Sequence, residues 1–191
     1  FQLGLLQVAE ELLAAIEPAH SQGELAAAIY QRRFIIAQRQ NREVRPILQE
    51  AEERLAGALN VLQEFWLQVG VEQFEEGARD LAEFYFRRVW DLRDRVTVSG
   101  AAPLYLSRIL VDEGEVAAAR NLLEEAWNRN LEPRGEITLA LATLYIDSER
   151  LSEAQQLLEG LLDGTPPKES EVRYRLAFVY FQRGRPGDAL A

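Results

Sequence analysis

Few residues in this chain have the chemistry to act on a substrate. There is one histidine, His20, in the run Glu17-Pro18-Ala19-His20. Glu-x-x-His is a spacing that di-iron helical bundles use twice. Here it occurs once, with Pro18 inside it at a helix end, so a solvent-facing histidine is the favoured reading over a metal ligand. A Ser-His-Asp triad would have to use His20, and no serine stands in the strand-turn-helix elbow that exposes a nucleophile. Cysteine is absent, which removes thiolate nucleophiles, disulfides and cysteine metal sites. Lys168 follows Pro166-Pro167 rather than a glycine-rich loop, so the chain has no phosphate-cradling motif. The expectation is a protein that is not an enzyme, with no catalytic, cofactor-binding or metal-binding residue and no cofactor.

Charge narrows the class of partner. The formal net charge is −10, and the acids are spread evenly along the chain, 16 against 11 bases in residues 1–99 and 15 against 10 in residues 100–191. Nucleic-acid binders show a basic footprint, so no nucleic-acid partner is expected. The one basic concentration is Arg32, Arg33, Arg39, Arg42 and Arg45. Helical spacing spreads these round a helix, and Glu43 and Glu50 are near enough to pair, so a solvated face is favoured over an anion site. No run approaches 18 uncharged apolar residues, so no membrane span is expected. Arginine supplies 20 of the 21 basic residues, a bias that fits a high-GC or thermophilic, bacterial source. The expected location is cytoplasmic, or periplasmic if an N-terminal signal has been removed.

Any binding surface must be positioned by helices. Leu, Ala, Glu, Gln and Arg outnumber Val, Ile and Thr, and these are the good helix formers. Leu5, Ala9, Leu12, Leu13 and Ile16 recur at helical spacing over residues 3–19. Ser21-Gln22-Gly23-Glu24 reads as a capping box that starts a second helix. A third helix begins near Pro46. Its residues Leu48, Ala51, Leu55, Ala58, Leu62, Phe65 and Val69 follow a heptad pattern, and Gly70 is expected to end it. A fourth helix carries Phe74 to Val96. Residues 1–99 therefore read as an N-terminal region of about four helices, with a boundary near Ser99-Gly100.

Residues 100–191 are organised differently. Ala119, Ala154 and Ala189 stand 35 residues apart. Around each lies a first helical run, a polar break and a second helical run containing the alanine. The breaks fall at Asp112-Glu113-Gly114, Ser148-Glu149-Arg150 and Gly184, and Pro133 and Pro166-Pro167 punctuate the links. A period in the thirties is the mark of stacked helical hairpins.

These repeats resemble tetratricopeptide repeats. The first has Leu106, Ser107, Gly114, Ala119, Leu123 and Ala126 at that family's positions. The second has Leu141, Ala142, Tyr145, Ala154, Leu158 and Pro166, with Glu149 in place of the turn glycine and Leu161 in place of a later alanine. The third has Leu176, Ala177, Tyr180, Gly184 and Ala189. The resemblance covers about 90 residues and implies an all-α fold of antiparallel helix pairs stacked as a right-handed α-solenoid. Two complete repeats and a truncated third would follow an N-terminal helical bundle or a set of divergent repeats. Gly23 and Ala28 share the offset of turn glycine and alanine, but the positions from Arg32 onward depart from it. Closely crossing helices need small residues on both sides, which implies structural crossings of Ser107 with Ala119, Ala142 with Ala154 and Ala177 with Ala189. Because the third pair has barely begun at Ala191, the natural chain is expected to continue.

The resemblance also implies a function. The first helix of each repeat lines a concave groove, which places Leu104, Arg108, Val111 and Asp112 in it from the first repeat. The second contributes Leu139, Thr143 and Ile146, with the acids Glu136 and Asp147, and the third Tyr174, Phe178 and Phe181, with Glu171. The expected role is an interaction scaffold or adaptor that binds a protein partner, as a peptide or helix, in this groove. Leu104 and Arg108 stand where lysine and asparagine would form the clamp for an acidic C-terminus, so that ligand is not expected. Pentatricopeptide RNA binders share the 35-residue period, but the groove acids oppose RNA. The alternative is a structural or oligomerisation module, a homodimer self-associating through the N-terminal heptad helices.

Overall fold

The computed structural model describes Val8, Leu12, Ala15 and residues 23–185. His20, Ser21, Pro186 and Ala189 lie outside the described residues, as does most of the expected first helix. The described residues are helical, with no strand among them, and fall into two compact units divided between Val98 and Ser99.

The N-terminal unit contains α1 (Glu24–Arg39), α2 (Arg45–Leu55), α3 (Leu59–Glu75) and α4 (Arg79–Asp91). α1 packs on α2 and α3, and α3 packs extensively on α4. Pro46 occupies the first turn of α2, where its missing N–H costs nothing. Two expectations need correction here. The heptad run is not one helix, because the chain breaks at Ala56–Ala58 and divides it between α2 and α3. Five of its residues, Ala51, Leu55, Leu62, Phe65 and Val69, are 0–5% exposed inside the unit. Nor does Gly70 end a helix. It is buried in the middle of α3, and the turn lies at Gly77, whose φ is 81°. Gly70 is there for close approach. A Cβ on it would lie 2.7 Å from Phe86 Cε1 and 2.9 Å from Phe86 Cδ1.

The C-terminal unit contains α5 (Ala101–Asp112), α6 (Val116–Asn128), α7 (Arg134–Asp147), α8 (Leu151–Leu162) and α9 (Glu169–Gln182). Each helix packs on the next, and α7 also packs on α5 and on α9. This is the contact order of stacked hairpins. Glu132 O accepts the Gly100 N–H at 2.8 Å, tying the start of α5 to the link before α7.

One helix ending recurs. Gly114 (φ 83°), Glu149 (φ 58°), Gly184 (φ 70°) and Gly77 each follow a helix in the left-handed region. The next N–H then donates back five residues, as in Glu115 to Leu110 O at 2.7 Å, Arg150 to Tyr145 O at 2.8 Å, Arg185 to Tyr180 O at 2.9 Å and Ala78 to Gln73 O at 2.9 Å. This is the Schellman arrangement, which satisfies the orphan carbonyls of a helix end. Glu149 holds the backbone geometry that glycine holds in the other three.

Counting from these turns exposes a repeat that the sequence spacing hides. Seven residues before, five after and nine after the turn stand Ser107, Ala119 and Leu123 in one hairpin, and Ala142, Ala154 and Leu158 in the next. The same offsets from Gly77 give Gly70, Ala82 and Phe86. All nine are buried. Hairpin α3/α4 therefore follows the pattern of the C-terminal hairpins, with a glycine and a phenylalanine replacing the serine or alanine and leucine. Gly23 and Ala28 do not belong to it, since Gly23 is the N-cap of α1 and Ala28 is exposed.

Candidate functional site

The groove residues expected from sequence divide into two groups. Val111, Asp112 and Asp147 line a hollow of about 230 Å³ on the α5/α7 face, and Leu104, Glu136, Leu139 and Glu171 line an adjoining one of about 160 Å³. Ser107, Arg108, Ala140 and Thr143 line both, so the two share a wall. The floor is apolar, with Leu104 and Leu139 buried and Val111 37% exposed. Arg108 is exposed and its guanidinium stacks 5.3 Å from the Tyr105 ring centroid. Thr143 Oγ1 donates to Leu139 O at 2.9 Å, a local back-bond to the preceding turn that fixes its rotamer.

Ile146, Tyr174, Phe178 and Phe181 do not line these hollows. Ile146 is half-buried on α7. On α9, Tyr174 is 73% and Phe181 68% exposed, while Phe178 is partly covered. These three recur at i, i+4 and i+7 along one face of α9, and aromatic side chains give large contact area with few rotors.

The small residues assigned to helix crossings lie deep. Ala119, Ala142 and Ala154 are wholly buried and Ser107 is 4% exposed, its Oγ donating to Leu104 O at 2.8 Å. Ala177 is half-buried, and its partner Ala189 lies outside the described residues.

Polar interlocks join successive hairpins and keep the hollow's walls in place. Tyr145 donates to Glu124 Oε1 at 2.9 Å, and Arg150 reaches the same carboxylate at 3.1 Å while stacking on the Tyr145 ring at 4.3 Å. Thirty-five residues on, Tyr180 donates to Glu159 Oε1 at 2.8 Å and Arg185 lies over its ring. Burial, then the hydrogen bond to Glu124, pushes the Tyr145 phenol above its ordinary range. Glu153 is held below the usual carboxylate range by Arg150, and Glu171 by Arg175, which donates to it at 2.8 Å. In the N-terminal unit burial, with Glu52 adding to it, pushes Tyr85 up to about 12. Sequence spacing did not reveal these interlocks, although Glu124 and Glu159 share the 35-residue offset of the alanines.

No group of three or more His, Asp or Glu among the described residues could hold a metal, and no helix among them is long and apolar enough to cross a membrane. The Arg33 side chain is 3.3 Å from Glu50, so the arginine concentration on α1 is partly neutralised from α2.

The geometry defines a class: stacked helical hairpins around alanine-sized crossings, with a shallow apolar hollow on one face. Residues 110–169 match the tetratricopeptide repeat family model. Within the C-terminal unit that match takes in α6, α7 and α8, and stacked repeats of this family are generally an architecture of interaction scaffolds. The chain is similar in fold to the solved structure of MamA AMB-1, at 20% identity and a TM-score of 0.56, over 88% of this chain and 88% of that one. A structure of a MamA mutant is similar at 20% identity and a TM-score of 0.55, over 87% of this chain and 92% of that one. At that identity the likeness is one of fold. No curated protein matches the chain.

Proposed function

We propose that the protein is a scaffold that docks a peptide or helix of a partner protein on the α5/α7 face. The observation that carries this reading is the pair of adjoining hollows that share Ser107, Arg108, Ala140 and Thr143, at positions where the family's first helices line a groove. The two hollows lie side by side, which suits a chain laid along them. Leu104, Leu139 and Val111 supply apolar anchoring, and the charged side chains at its edge set register and orientation. Tyr174, Phe178 and Phe181 extend the apolar surface along α9 as a second contact for a longer partner. Self-association through the heptad is not part of this reading, since its side chains are already used between α2, α3 and their neighbours.

Affinity capture with the wild-type chain and with Thr143→Trp tests the proposal. Thr143 lines both hollows, and an indole there fills them without touching the crossings. A protein captured by the wild type and lost from Thr143→Trp supports docking on this face. A protein captured equally by both places the interaction elsewhere.

A further inference from the structure

The N-terminal unit has its own hollow, which no sequence motif marks. It lies between α1 and α3, the first helices of the unit's two hairpins, and has a volume of about 430 Å³. That is within the range of cavities that enclose a ligand. The floor is apolar. Ala27 and Phe65 are buried in it, with Ala28 and Val61 beside them. Alanines on α1 leave room above the helix that longer side chains would fill.

The rim has one sign of charge. Glu24 from the first turn of α1 and Glu64 from the middle of α3 both line the hollow, and no lysine or arginine does. Both carboxylates are exposed. Other acids of the same unit have cations: Glu50 has Arg33, Glu52 has Arg88 at 2.6 Å and Glu83 has Arg87 at 2.6 Å. Glu24 and Glu64 have none among the described residues, and Glu64 accepts only the Gln68 side-chain amide, at 3.0 Å. Gln31, Asn60 and Gln68 complete the rim, and side-chain amides both donate to and accept from a peptide backbone.

We propose that this hollow is a second docking site, specific for a peptide segment that carries a lysine or arginine. The alkyl stem of such a side chain lies on the Ala27, Ala28, Val61 and Phe65 floor while its cationic head sits between Glu24 and Glu64. A neutral apolar helix leaves both carboxylates unanswered, and an acidic segment is repelled. The site is independent of the α5/α7 face, because every residue that lines it belongs to the N-terminal unit.

The test is a selection of random twelve-residue peptides displayed on phage, made on the full chain and counter-selected on Ala28→Trp. Position 28 is exposed, so the indole fills the hollow from outside the core, and circular dichroism checks that the variant is folded. Survivors are expected to be enriched in lysine and arginine. A fluorescent copy of the strongest should bind Glu24→Gln/Glu64→Gln at least tenfold more weakly, and bind less well in 300 mM than in 50 mM salt. It should bind Thr143→Trp as well as wild type. Survivors without basic enrichment, survivors that bind Ala28→Trp equally, loss of binding on Thr143→Trp, or no survivors at all would overturn the proposal.

Discussion

Replacing Gly70 by alanine should destabilise the N-terminal unit although the residue is in mid-helix, where alanine is normally the better choice. Helix propensity alone favours Gly→Ala by ~1 kcal/mol. Against it, the new Cβ would lie 2.7, 2.9 and 3.2 Å from Phe86 Cε1, Cδ1 and Cζ. Phe86 is wholly buried, so its ring has no solvent side to retreat to, and overpacking of this kind costs about 1–3 kcal/mol. The net expectation is a loss of about 0–2 kcal/mol. Phe86→Leu alone should also destabilise, by about 1–2 kcal/mol, by leaving a void against the glycine. The double variant installs the pair that the second C-terminal hairpin already uses, Ala142 with Leu158. It should recover about 2 kcal/mol relative to the sum of the two losses. The assay is denaturant unfolding followed by the fluorescence of Trp66 and Trp90, both in this unit, with the slope checked for constancy. A Gly70→Ala variant more stable than wild type, or single losses that simply add, would refute the assignment of α3/α4 to the repeat pattern.

Three further expectations concern the C-terminal unit. Glu149→Gly should raise its stability by about 0.5–1 kcal/mol and Gly114→Ala should lower it by a similar amount, because both positions are left-handed; thermal melts giving the same sign for both would contradict this. Tyr145→Phe should cost about 0.5–1.5 kcal/mol by removing the hydrogen bond to Glu124, and unfolding of the variant indistinguishable from wild type would remove the interlock's role. Glu153 and Glu171 have folded-state pKa values depressed below 4.5 by Arg150 and Arg175. Their contribution is complete above the unfolded pKa and is lost as pH falls through the lower folded value. Glu171→Gln should therefore melt below wild type at pH 7 and converge with it under acid, and a constant gap across that range would be inconsistent with the pairing.

The parts of the fold legible in the sequence are those fixed by local chemistry. The 35-residue spacing, the prolines of the links and the glycine turns locate the C-terminal helices to within a few residues, and the family match over residues 110–169 lies inside the stretch that the resemblance covers. The N-terminal unit was read differently because two signals point the wrong way. Gly70 resembles a helix stop, yet it is a packing residue whose meaning depends on Phe86 sixteen positions later. The heptad of Leu48 to Val69 keeps its phase across the break at Ala56–Ala58, so periodicity alone cannot see the loop. The 37 residues between Gly77 and Gly114, set by the long link before α5, take α3/α4 out of the spacing that identifies the others. At the candidate site, family positions identified most of the residues around the α5/α7 hollows. The α1/α3 hollow depends on which faces of two helices meet, and that is decided by packing rather than by any motif.

A photo-reactive residue placed at position 108 tests the central claim most directly. Arg108 is exposed and lines both C-terminal hollows, whereas Asn121 is exposed on α6 and lines neither. Irradiated among the proteins of its source, the chain labelled at 108 should form a discrete covalent adduct with a partner protein that excess unlabelled wild type abolishes, and the chain labelled at 121 should not. Adducts formed equally from both positions, or from 121 alone, would contradict docking on the α5/α7 face.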